Sequence, residues 1–299
     1  MEHPSRARDA PAKRARGQHL GNALVVDLEF WYSPEFVRHH LPEQKDDQLP
    51  ESVIPLLELL DKHETKATFA VLGTVAERYP ELVKSIFRQG HEIASHGYSH
   101  RTLYEMSENE FDQEIAKSIE ILTSITGERP VGFRAPSFSL NNSTKWALGI
   151  LVKHGFKYDA SIFPIRTNLY GVPGAPLHPY RPAAGDLAKE SENGGIVEFP
   201  MTVFRLGVNI PVAGGFYLRA LPFSFLNFAL KRTAQTRPVV VYVHPWETYN
   251  KTPRLGNMPL LRRFVTYYGI SKALSKLERL LAEFRFQPIR QVLAEEGLI

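Results

Sequence analysis

Short apolar runs recur along the chain, and longer segments with apolar residues at helical spacing lie between them. The first run, Ala23 to Leu28, reads as a buried strand. Val53, Leu56, Leu57 and Leu60 then mark a helix over 52–63. Residues 66–72 form a second strand closed by Gly73, and 74–89 a helix closed by Gly90. A short strand over 92–95 runs into His96. Residues 107–126 predict a long amphipathic helix, with Ser107 as N-cap and Gly127 as its C-terminal stop. Strand-like 131–134, helical 142–154 and strand-like 155–159 follow. Beyond 164–195, which is rich in Pro, Gly and Asn, come strands near 196–200 and 238–243 and a final helix over 270–284.

Strands alternating with helices argue for βαβ units and a parallel sheet, an α/β architecture. In α/β barrels the working residues sit at the C-terminal ends of strands, and the polar groups of interest here fall just after strands. The 164–195 segment is too long for an ordinary connection, so it is expected to be a lid or partly disordered. No internal repeat and no second domain boundary is apparent. The expected organisation is a basic disordered tail over 1–21 and a single domain over 22–299.

Composition narrows the chemistry. At 299 residues, 43% hydrophobic and 23% charged, the chain fits an ordinary soluble globular protein. It has no cysteine, so any metal must be held by His, Asp or Glu. No run of 18 or more apolar residues predicts a membrane span. Residues 1–21 lack the apolar core of a secretory signal, so a cytoplasmic location is expected. The net charge of +4 is modest. Arg254, Arg262, Arg263, Lys272, Lys276 and Arg279 form a second basic group, readable as a solvated helix face or as weak contact with an anionic membrane surface or a phosphorylated carrier. There is no nucleic-acid-binding motif.

Three segments carry the candidate chemistry. Asp27 and Glu29, two apart at the end of an apolar strand, point to one face and are costly to bury uncompensated. His96 and His100, four apart, become neighbours able to share one ion if they lie on a helical turn. His244 ends the strand Val241, Tyr242, Val243 and precedes Pro245, which suits a cleft-facing histidine. One carboxylate and the two paired histidines make a facial metal triad with open positions. Asp27 and His244 are left as candidate base and acid, a set suited to metal-assisted hydrolysis.

In this order the segments resemble the polysaccharide deacetylases, the NodB-homology or carbohydrate esterase family 4 domain. The paired acids match Asp27 and Glu29, the His-x-x-x-His motif His96 and His100, and the Arg-x-Pro motif Arg134, Ala135 and Pro136. The motif with a buried Asp matches Tyr158 to Ser161, and the final histidine is His244. A finer likeness, through residues 133–139, 212–222 and 244–247, is to the subgroup associated with exosortase and exopolysaccharide gene clusters. The resemblance implies a distorted (β/α) barrel with fewer than eight full repeats. It also implies a divalent metal, usually zinc, held by Glu29, His96 and His100, and N-deacetylation of a sugar, oligosaccharide or lipid-linked glycan. Asp27 would then be the base, oriented by Arg134. The Ser137 backbone N–H would help stabilise the oxyanion, and His244, tuned by Asp159, would act as acid. Tyr98, Phe138, Gly214, Gly215 and Trp246 are the expected substrate contacts.

Two departures stand out: many members have adjacent aspartates where this chain has Asp27 and Glu29, and Ser137 replaces a frequent Tyr. A related hydrolase of a small amide (a ureide, formamide or cyclic imide) and a catalytically silent sugar-binding module are the alternatives.

Overall fold

The computed structural model describes residues 21–167 and 170–299. The expected tail over 1–21 therefore lies outside the described residues except for Gly21. Among the described residues twelve strands follow in chain order: β1 (Asn22–Leu28), β2 (Thr68–Val71), β3 (Glu92–Ser95), β4 (Gly132–Phe133), β5 (Tyr158–Asp159), β6 (Pro182–Ala183), β7 (Asp186–Glu190), β8 (Val197–Glu198), β9 (Val203–Leu206), β10 (Val208–Pro211), β11 (Val240–Val243) and β12 (Phe286–Gln287). Eight of them form one parallel sheet in the order β11-β1-β2-β3-β4-β5-β8, with β12 added beside the start of β1. The sheet curls into an incomplete barrel, as expected for fewer than eight full repeats.

Alternation along the strands sets two faces. Leu24, Val26 and Leu28 of β1 pack outward against helices, beside Leu56, Leu60, Val75 and Leu230. Ala23 and Val25 point inward with Ala70, Tyr158, Val197, Phe199 and Tyr242. Ile289, Val292 and Leu293 of the last helix, Ile289–Glu295, close the same interior cluster. That helix is tied to the N-terminal ends of the strands, where the Ile289 N–H bonds Thr68 Oγ1 at 2.8 Å and the Arg290 N–H bonds Glu92 at 3.1 Å. One end of the barrel is thereby plugged. The other end, where the strands finish, is left for the site. Gly132 leaves room for the Tyr158 ring across this interior, since a Cβ there would lie 2.1 Å from Tyr158 Cζ.

Several elements follow their local signals closely. The helix Glu108–Thr126 is capped by Ser107 and Glu110 in a reciprocal capping box and ends at Gly127 with φ 78°. The helix expected over 74–89 is instead two, Gly73–Arg78 and Pro80–Arg88. Pro80 drives the preceding residue out of the helical region, and Tyr79 sits at φ −130°, ψ 57°. The helix expected from 142 starts only at Trp146, because Asn141, Ser143 and Thr144 bond one another in a turn.

The long 164–195 segment holds more structure than a loop. β6 and β7 pair as a hairpin, Tyr180 bridges to Glu198 at the edge of the main sheet, and Val172, Ala175, Tyr180 and Leu187 are buried. Its described part is tied down by apolar contacts, which the Pro- and Gly-rich composition does not announce.

Candidate active site

A cavity of about 610 Å³ lies where the strands end, lined by Asp27, Glu29, His96, His100, Arg134 and His244 among others. The inward alternation of β1 continues from Ala23 and Val25 to Asp27 and Glu29, so both carboxylates face it, only 3% and 1% exposed. His96 directly follows β3 and His244 directly follows β11, whose Val240 and Tyr242 also face inward.

Glu29, His96 and His100 come together, each offering a ligand atom within 4.8 Å of the others. The His100 Nε2 lies 2.5 Å from Glu29 Oε2 and the His96 Nε2 lies 3.8 Å from the same oxygen. The histidines do not lie on a helical turn. Residues 97–100 form a loop in which Gly97 has φ 78° and His100 φ 61°. Glu114, on the helix Glu108–Thr126, fixes that loop by accepting from the Tyr98 and Ser99 N–H groups and from Ser99 Oγ. His96 Nδ1 meets the Arg134 carbonyl at 2.8 Å. A proton on Nδ1 suits that bond and leaves the Nε2 lone pair facing Glu29, the tautomer a metal ligand needs.

These three residues fit a divalent cation. A buried carboxylate among imidazoles is a donor set suited to zinc. Burial works against the Glu29 charge, yet His100 and His244 outweigh it and hold its carboxyl well below the usual range. Burial likewise opposes charge on His100, and Glu29 overrides it and raises His100 above its ordinary value.

Asp27 is held apart from that cluster. The Arg134 Nε lies 2.7 Å from Asp27 Oδ1, and the His244 Nε2 lies 3.5 Å from Asp27 Oδ2. Arg134 is 2% exposed and sandwiched between the rings of Phe138 and Tyr242, at 4.7 and 4.8 Å from their centroids. Its Nη1 donates to the Ala160 carbonyl at 2.7 Å. Ser137, at φ 53°, lines the cavity and donates through Oγ to Glu35 Oε2 at 2.6 Å.

Three expected placements are corrected. Asp159 does not reach His244. Tyr158 and Ala160 face the barrel interior, so Asp159 projects to the other side, accepting from Ser161 Oγ at 2.5 Å beside the buried Glu198. Burial and that neighbour push the Glu198 carboxyl well above the usual range. The partner of His244 is Glu247, with Nδ1 and Oε2 2.6 Å apart. Glu247 is in turn held by Arg219 at 2.7 and 3.0 Å. Tyr98 lies outside the cavity, its hydroxyl on Glu77 and its ring under Lys117. Gly214 packs against the backbone of Tyr242, where a Cβ would meet the Tyr242 carbonyl at 2.0 Å, while Gly215 lines the cavity. Phe138 and Trp246 also line it. Trp246 does a second thing there, donating from Nε1 to Glu29 Oε1 at 3.1 Å.

Glu247 was legible as an acid three residues beyond His244 on a helical turn, a spacing that lets the two side chains meet. Glu35 and Glu114, which brace Ser137 and the 97–100 loop, carry no local sequence signal for those roles.

The fold and site define a parallel-barrel protein with a buried Glu-His-His cluster at the strand ends. Residues 45–158 match the polysaccharide deacetylase family, and residues 160–294 match a domain of unknown function, DUF3473. Both segments supply strands to the one main sheet. A peptidoglycan deacetylase of Helicobacter pylori is 37% identical over 107 residues, 36% of this chain and 36% of that protein. A peptidoglycan-N-acetylglucosamine deacetylase of Bacillus cereus is 42% identical over 93 residues, 31% of this chain and 34% of that protein. The match thus spans about a third of the length of these relatives. A solved structure of a polysaccharide deacetylase-like protein from Mycobacterium smegmatis shares the fold, with TM-score 0.61 and 21% identity over 97% of this chain and 94% of that one. The likeness to polysaccharide deacetylases in sequence is thus confined to residues 45–158 for the family model and to about a third of the chain for these relatives.

Proposed function

We propose that this chain is a metal-dependent hydrolase that removes the N-acetyl group from a sugar or polysaccharide. The observation that carries the reading is one cavity holding a Glu29–His96–His100 cluster with Asp27 and His244 facing it from separate supports. The names of the relatives, a peptidoglycan deacetylase and a peptidoglycan-N-acetylglucosamine deacetylase, support the sugar amide as the target bond.

Glu29, His96 and His100 would hold the cation, with zinc the expected ion. When bound, it supplies Lewis acidity, polarising a carbonyl and acidifying water. Asp27 takes the proton as water attacks the acetamide carbon. Arg134 keeps the Asp27 carboxylate turned into the cavity, and the Phe138 and Tyr242 rings keep Arg134 itself in place. The Ser137 backbone N–H contributes to the oxyanion site. His244 gives a proton to the departing amine. Burial opposes charge on His244, but Glu247 and Glu29 outweigh it and raise it to about 9, so the acid form is ready at neutral pH. A cation beside Glu29 draws on the same negative charge and lowers that value.

Within the family, the segments 133–139, 212–222 and 244–247 support the subgroup tied to exosortase and exopolysaccharide clusters. A cytoplasmic site of action belongs to the same proposal. The test is acetate release from N-acetylglucosamine oligomers, with and without a chelator. Release that stops on chelation and returns with zinc supports the reading, and release from metal-free protein at the full rate overturns it.

A further inference from the structure

The helix Leu260–Tyr267 forms part of the cavity wall through Leu261, Arg262 and Val265. The apolar residues of this helix are unusually exposed. Leu260 is 83% exposed and Leu261 75%, and Phe264 and the next residue after the helix, Tyr268, are also exposed. At 3.6 residues per turn Leu260, Leu261 and Phe264 fall within about a third of the circumference, and Thr266 and Tyr267, in the last turn, are buried. Arg262 and Arg263 project on either side of the apolar stripe, and among the described residues no carboxylate lies within ion-pair reach of either. From Thr248 to Leu277 the sequence has no Asp or Glu but carries Lys251, Arg254, Arg262, Arg263, Lys272 and Lys276. Phe264 stacks edge-on against Phe216, itself part of the cavity wall, so the stripe is continuous with the mouth of the site.

An apolar stripe flanked by arginines, without neighbouring acids, is the arrangement that seats a helix in a lipid headgroup layer. The unopposed cations select anionic lipid. We propose that the helix Leu260–Tyr267 docks the protein on an anionic membrane surface and so turns the cavity mouth toward a glycan carried at that surface. The docking stands on the helix alone, and the delivery of a glycan rests on the deacetylase reading above.

The experiment is co-sedimentation of the full chain with phosphatidylcholine vesicles, with and without phosphatidylglycerol, at low and physiological salt. Binding is expected to the phosphatidylglycerol vesicles only, and to weaken with salt. The double variant Leu260→Ser/Arg263→Glu, whose side chains are outside the cavity lining, should bind at least about tenfold more weakly. Its melting temperature and its acetate release from a soluble oligosaccharide should stay near wild type. Wild-type protein that ignores phosphatidylglycerol vesicles at low salt overturns the proposal. So does a variant that binds like wild type, which moves the contact to another surface. A wild-type dimer that the double variant dissociates, with neither form on vesicles, assigns the stripe to a second copy instead. Helix-dependent vesicle binding without turnover of any N-acetyl sugar supports the docking and overturns the deacetylase reading alone.

Discussion

The Glu247 carboxylate bridges His244 and Arg219, lying 2.6 Å from His244 Nδ1 and 2.7 Å from Arg219 Nη2. Burial opposes its charge, but Arg219 and His244 hold it at about 2, so it is ionised at neutral pH. The bridge turns His244 Nε2 toward Asp27 and keeps the imidazole protonated. Replacing Glu247 by Gln removes that support and lowers the His244 pKa. A general acid fails as pH rises through its pKa, so the alkaline limb of kcat/KM should move to lower pH in Glu247→Gln. A bound cation lowers the value in both proteins, so the shift between them is the observable. Superimposable pH profiles would remove Glu247 from this role.

His244 itself can be isolated by the leaving group. An amine departs poorly unless protonated, whereas an aryl alcohol leaves as its anion. His244→Ala should cost on the order of 10²-fold or more on an N-acetyl sugar and much less on an aryl acetate, with metal content unchanged. The ratio of amide to ester kcat/KM in the two proteins decides it. Equal losses on both substrates would place His244 in attack or binding instead.

Asp27 and Glu29 sit two residues apart with different supports, Arg134 for one and the histidines for the other. Asp27→Asn should keep its metal and lose roughly 10²–10⁴-fold in activity. Glu29→Gln should show weakened metal binding as its first defect. Elemental analysis beside kinetics separates the two, and loss of metal from Asp27→Asn would make Asp27 a ligand.

Trp246 donates to the Glu29 oxygen that His100 does not engage. Trp246→Phe keeps the apolar body and deletes the donor. Metal affinity should fall by about 10- to 100-fold, the usual cost of losing a group that orients a ligand. A competition titration against a chromogenic chelator measures it, and an unchanged affinity would leave Trp246 as a cavity wall only.

His91 gives a stability test away from the site. It is 4% exposed and accepts the Ala67 N–H on Nδ1 at 3.1 Å. Burial, helped by Lys66, lowers its pKa from 6.5 to about 4. The unfolded chain therefore takes up a proton near pH 6.5 that the folded chain refuses until about pH 4. Its contribution is present above pH 6.5 and is lost as pH falls toward 4, by up to roughly 3 kcal/mol. His91→Gln keeps an acceptor and does not titrate, so its unfolding midpoint should fall less steeply between pH 6.5 and 4. Parallel pH dependences in the two proteins would refute the assignment.

Much of the barrel was legible because buried parallel strands announce themselves as apolar runs, and a capped helix such as Glu108–Thr126 carries its own boundaries. The grouping of Asp27, Glu29, His96, Arg134 and His244 followed from their positions at or just beyond strand ends, since parallel strands put all such ends on one side of the sheet. The split at Pro80 was legible too, but it was outweighed by apolar periodicity running through it.

What the sequence by itself determined was which residues alternate together within one strand and which segments start and stop a helix. These are local properties of the backbone, set within a few residues. Only the tertiary structure decided which alternating face of each strand became the barrel interior, and hence that Asp159 turned outward to Glu198 while Arg134 turned inward to Asp27. It also decided that the 97–100 loop sends His100 to Glu29 and Tyr98 to Glu77. Those outcomes depend on how neighbouring strands and helices pack, and short-range periodicity carries no record of a partner 70 or 100 residues away, such as Glu29 for His100 or Glu35 for Ser137.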